Sequence, residues 1–153
     1  MKTFFVAAAA IALIAMAGSG MADTNTLTVT ASVAGTCKFV AGTSLLGFGS
    51  LDPSVGTDVN ASATTQFWCT KGVTTDAVSA NTGLNFAGGK RGMKDTVSGD
   101  VIPYTLTLTK DANPNAGPSA PRILTLAGGV LGADYTAKTA GSYSDTVVVS
   151  INP

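Results

Sequence analysis

The stretch AGSYSDTVVVSINP, residues 140–153, decides how the rest of the chain is read. Val147, Val149 and Ile151 alternate with Thr146, Val148 and Ser150, the period of a strand with one buried face. The strand runs up to Pro153, and the sequence holds nothing after it to pair with. A strand in that position predicts a sheet edge that something else must cover.

Working outward, the other end of the chain reads as an export signal. MKTFFVAAAAIALIAMAGSGMA, residues 1–22, has one early charge, an apolar run from Phe4 to Ala17, and a small-residue exit at Gly20-Met21-Ala22. The run is short for a membrane span of about 20 residues, and the small residues favour cleavage. Removing 22 of the 153 residues leaves 131, enough for one domain. The remaining chain holds eight basic residues against nine acidic ones, all of them Asp, and no His or Glu. Charged residues are 12% of the sequence, about half the usual ~25%. With no basic patch, the composition argues against a nucleic-acid partner.

The two cysteines, Cys37 and Cys69, predict one disulfide in an exported chain. Chain entropy gives a loop of that length about 3–4 kcal/mol of stabilisation. Between and beyond them, short strand candidates follow one another with turn signals between and no amphipathic helix. They are 27–33, 37–40, 45–51, 63–69, 76–81, 101–109, 122–128, 130–136 and 142–151. Pro103 points to an edge, a bulge or a strand start. Residues 82–100, rich in Gly and basic residues, carry no clear pattern. The whole predicts an all-β sandwich.

Chemistry finds little support. Without His, a Ser-His-Asp triad and a Cys-His pair are both excluded, and two cysteines with Asp make a poor zinc site. GLNFAGGK, residues 83–90, misses the phosphate-loop spacing by one residue, has Arg91 where Ser or Thr belongs, and precedes no helix. Asp52 and Asp58 read as turn residues rather than a calcium loop. Asn60-Ala61-Ser62 is a glycosylation triplet of a kind that arises often by chance. Lys90, Arg91 and Lys94 read as a solvated face. Of Phe67 and Trp68, strand alternation turns one inward, and Trp68 against the disulfide is a plausible core contact. No enzyme, metal or cofactor is expected.

Leu27, Val29, Ala31 and Val33 face one way in LTVTASV, with Thr28, Thr30 and Ser32 opposite. This segment is either an ordinary first strand or a detachable arm on a small flexible hinge, Ala34-Gly35-Thr36.

Several stretches in order carry a resemblance. They are FGSLDP (48–53), the strand ending at Cys69 with TKG after it, Arg91-Gly-Met93, Pro103-Tyr104, and AGSYSDTVVVSI (140–151). Over residues 27–153 the chain resembles the spore coat protein U domain family, which includes pilin subunits of archaic, Csu-type chaperone–usher pili. The resemblance implies an incomplete immunoglobulin-like β-sandwich that lacks its last strand and is completed by donor-strand exchange. It implies a donor-strand arm at 23–36, carrying Leu27, Val29, Ala31 and Val33, and an incomplete domain at 37–153. Tyr143, Val147, Val149 and Ile151 would edge the acceptor groove. The implied partners are other pilin subunits, a periplasmic chaperone and an outer-membrane usher. The implied place is the periplasm in transit and then a cell-surface fibre serving adhesion and biofilm growth. A spore coat protein and a monomeric secreted binding module are the alternatives.

Overall fold

The computed structural model describes residues 20–153, so the export signal expected at 1–22 falls almost wholly outside the described residues. By its contacts the chain divides into two units, Met1–Ser32 and Val33–Pro153. In the first unit, residues 20–32 carry no regular secondary structure. Leu27 and Val29 there are both 82% exposed. The second unit is an all-β domain with a single turn of helix.

Its strands are β1 (Cys37–Phe39), β2 (Val59–Cys69), β3 (Ala77–Ala80), β4 (Arg91–Asp95), β5 (Val101–Lys110), β6 (Arg122–Val130), β7 (Tyr143–Ser144) and β8 (Val149–Asn152). The helix α1 is Gly132–Tyr135, between β6 and β7. Six strands form one antiparallel sheet in the order β1-β2-β6-β5-β4-β7, and β3 with β8 forms a second. The long central strands are those whose sequences alternate over their whole length, as in VIPYTLTLTK. β2 starts four residues before the predicted Ala63, because its Val59–Ser62 end lies against the Ala127–Val130 end of β6.

Burial accounts for the layering. Phe67, Cys69, Leu124 and Leu126 are buried against Val78, Val149 and Ile151 of the small sheet, and this contact is the interior of the sandwich. Ile102, Tyr104, Val130 and Tyr135 form a second cluster, with Phe48, Met93 and Val147 packed on it. Each large side chain withdrawn in this way contributes about 1.5–3 kcal/mol. Phe67, fully buried, takes the inward position beside the cysteines. Trp68 is turned to the other face, opposite Lys38 on β1, and does not form the expected contact with the disulfide. The Cys37–Cys69 disulfide is formed and staples β1 to the end of β2.

Three expectations are corrected. Residues 130–136 are not a strand: β6 ends at Val130 and the chain turns into α1. A Cβ on Gly132 would collide with the backbone carbonyl of Gly56, so this close crossing admits only glycine. Tyr135 is drawn inward by its hydroxyl, which donates to the Thr57 carbonyl at 2.7 Å. Residues 45–51 are not in a strand ladder, and 142–151 is two short strands rather than one. The unassigned region contains β4, with Gly92 where a Cβ would collide with Val101. Pro103 lies where β5 pairs with β4 alone, since the β6 register starts only at Thr105. That local edge spares the missing amide donor a ladder position.

A charged cluster closes one end of the domain. Arg122 donates through Nε to Asp111 Oδ1 at 2.8 Å and through a terminal nitrogen to Asp76. Lys110 Nζ donates to Asp76 Oδ1 at 2.7 Å. Asn115 accepts from Arg122 at 3.3 Å and donates to the Val73 carbonyl at 2.8 Å. Arg122 also lies over the Phe67 ring, 5.2 Å from its centroid. The proline-rich loop 111–121 and the approach to β3 are thus tied to β6 by one buried side chain.

Candidate functional site: an open groove beside the terminal segment

The period-two pattern of 143–151 survives in its burial: Tyr143, Asp145, Val147, Val149 and Ile151 are half-buried and the residues between them exposed. Its backbone pairing does not survive. Tyr143 and Ser144 pair with β4 in the large sheet, Val149 to Asn152 pair with β3 in the small one, and 145–148 join no ladder. Asp145 is the cause of the break. Its carboxylate turns inward and accepts from Tyr104 Oη at 2.7 Å and from the Leu84 amide at 2.8 Å. Gly83, at φ +80°, passes so close that a Cβ would collide with this carboxylate. Burial, reinforced by the hydrogen bond to Asp145, raises the Tyr104 pKa and keeps its hydroxyl a donor.

A groove of about 1080 Å³ runs beside this segment. One wall is the terminal segment, with Tyr143, Val147 and Val149 among the lining residues. Ile151 is not among them and packs instead on the Phe67 cluster. The opposite wall is residues 41–51. The floor includes Met93, Ile102, Tyr104, Leu106 and Leu126 and is largely apolar. Its volume lies just above the roughly 300–1,000 Å³ of small-molecule pockets.

The 41–51 wall has an unusual backbone. Among the described residues, none of its amides or carbonyls makes a backbone–backbone hydrogen bond. The ladder of β1 reaches only as far as Val40, whose amide donates to the Gln66 carbonyl. Leu46 and Phe48 nevertheless hold the segment in place, because both lie over Gly128 of β6, where a Cβ would come within 2.9 Å of each. The Phe48 ring sits 6.2 Å from that of Tyr104. A chain of contacts therefore crosses the floor from Asp145 on one wall, through Tyr104, to Phe48 on the other. Backbone with unpaired polar groups is a template for another strand.

The remaining candidates are placed elsewhere. Asp52 accepts from the Ser54 amide and hydroxyl and is a turn residue. Asp58 accepts from the Gly132 amide. Arg91 is held by the carbonyls of Ala80 and Asn81 and is no free cation. No group of three metal-ligating side chains occurs among the described residues. No structural role for the 83–85 loop or for Thr70 is legible in the sequence, because their partners are 34 to 61 residues away.

The fold and groove define a class: a disulfide-stapled β-sandwich domain with an apolar cleft along its terminal segment. The profile of the Spore Coat Protein U domain matches residues 23–150, and the chain belongs to that family. No curated protein matches it. Among solved structures it is similar to a crystal structure of the CsuC-CsuE chaperone-tip adhesion subunit pre-assembly complex from the archaic chaperone-usher Csu pili of Acinetobacter baumannii. Identity is 20% and the TM-score 0.49, with 78% of this chain and 40% of that chain covered.

Proposed function

We propose that the protein is a structural subunit of an extracellular fibre, built along a chaperone–usher route, in which the 23–36 arm of one subunit fills the groove of another. The unpaired backbone of residues 41–51 beside the apolar floor is the observation that carries this reading. A strand laid between that wall and the terminal segment would supply its missing ladder bonds and cover the floor with one apolar face. The arm has that face in Leu27, Val29, Ala31 and Val33, and the three large side chains, Leu27, Val29 and Val33, stand exposed in the chain. Seven residues at about 3.3 Å each give a strand over 20 Å long.

Energetics require both parts of the contact. Burying Leu27, Val29 and Val33 contributes about 1.5–3 kcal/mol each. Ordering seven residues costs about 1–2 kcal/mol apiece, so the ladder bonds of about 0.5–1.5 kcal/mol each decide the balance. A slip by one residue would bury Thr28, Thr30 and Ser32, which fixes the register. The contact is head-to-tail, so it extends as a filament instead of closing as a dimer. A periplasmic chaperone that lends a strand, and an usher that exchanges it, complete the scheme and place the fibre on the cell surface, in adhesion and biofilm growth.

Val29→Asp tests it. A carboxylate forced against the apolar groove floor loses its hydration without a partner, so fibre yield falls at least about tenfold. The variant's own melting temperature stays unchanged, because Val29 is exposed in the chain. Normal fibres from Val29→Asp would count against arm insertion.

A further inference from the structure

We propose that Thr70 fixes the direction in which the arm leaves the domain, and with it the angle between successive subunits. The inference rests on the arm-and-groove assembly proposed above. From the sequence, Ala34-Gly35-Thr36 is a small flexible hinge; in the structure these residues are fastened. The Thr70 amide donates to the Thr36 carbonyl at 2.8 Å, and the Thr36 amide donates to Thr70 Oγ1 at 3.1 Å. The same hydroxyl lies 3.2 Å from the Ala34 carbonyl and 3.3 Å from that of Thr36, and its one proton serves either. Between the two, a Cβ on Gly35 would come within 3.3 Å of Val73 Cγ2. The next pair along is the Cys37–Cys69 disulfide.

No slack is left between Val33, the last apolar residue of the arm's alternating face, and the domain. A free three-residue hinge would reach about 10 Å and turn in any direction. Fastened at Ala34 and Thr36, the same residues transmit the orientation of an inserted arm to the body that carries it. Beside the Thr70 amide bond to Thr36, one side chain does this: among the described residues, the Thr70 hydroxyl is the side-chain group bonded at both Ala34 and Thr36. Its role is that of a positioning residue, acting on assembly geometry through the linker.

The test compares fibres of the full chain carrying Thr70→Val, which keeps the shape and removes the hydroxyl, with Thr70→Ser, which keeps the hydroxyl. Thr70→Val fibres should form in normal yield, with persistence length at least about twofold shorter and blurred layer lines. Thr70→Ser should restore both, and a merely stabilising role would leave the persistence length unmoved. Thr70→Val fibres as stiff and ordered as the parent would overturn the proposal. If the parent chain makes no fibres, the assembly reading fails instead, and hydrogen exchange of the soluble chain still judges the fastening. The Thr36 amide should then exchange about tenfold faster in Thr70→Val, and an unchanged rate would refute it.

Discussion

A chain without residues 23–33 makes no fibres, while its domain keeps the disulfide and the groove. The deletion leaves Ala34 and Thr36 in place on Thr70, so the domain's own contacts are untouched. What it removes is the segment whose alternating apolar face is Leu27, Val29, Ala31 and Val33. The effect is all-or-none because a head-to-tail polymer needs one donor per subunit. The truncated subunit should still accept an arm. Mixed in small amounts with full-length chains, it is confined to the one fibre end where it receives an arm and donates none, and mean fibre length shortens as its proportion rises. Electron microscopy of fibres across such a mixing series measures this. Normal filaments from the truncated chain alone would contradict it.

Arg122→Met is the second large effect. It deprives Asp76 and Asp111 of their shared guanidinium and leaves Asn115 without its donor. Side chains of both Arg122 and Asp76 are almost wholly covered, at 8% and 9% exposure. Removing one partner of a buried pair costs on the order of 3 kcal/mol, so the melting temperature falls by roughly 10 °C. The same cluster sets the response to acid. Burial alone would raise the pKa of Asp76, but the hydrogen bond and charge of Lys110 and the charge of Arg122 outweigh it, and the net shift is downward. Asp111 is likewise lowered: burial opposes the shift, and bonds from the Ile123 amide, Arg122 and Asn113 prevail. A carboxylate with a folded pKa below its unfolded one stabilises the fold above the unfolded value. That stability is lost as pH falls through the folded value. Calorimetric melts of the parent should therefore be level from pH 7 to about 5 and decline below about 4. In Arg122→Met the decline is shallower, because less of the downward shift remains.

Sequence patterns revealed what depends on neighbours along the chain. The alternation of 101–109, the apolar end of 63–69 and the cysteine pair located β5, the end of β2 and the staple between β1 and β2. What depends on distant groups stayed hidden. Residues 130–136 look like a strand until Gly132 meets Gly56, 76 positions earlier. The terminal stretch looks like one strand until Asp145 meets Tyr104 and the Leu84 amide. The hinge at 34–36 looks loose until Thr70 is beside it. Residues 45–51 show a strand's composition without a ladder, since no strand of the domain lies alongside them. The terminal alternation by itself predicts only an edge that needs cover; the groove comes with the family resemblance, and of the residues it implies Ile151 packs on the Phe67 cluster without lining the cleft.

The central idea is that a strand from another molecule lies between residues 41–51 and the terminal segment. Electron cryo-microscopy of fibres taken from the cell surface observes that place directly. An extended chain should appear there, continuous with the Ala34–Thr36 linker of a neighbouring subunit and hydrogen-bonded to residues 41–51. A groove that is empty, or filled by a segment of its own subunit, would contradict it.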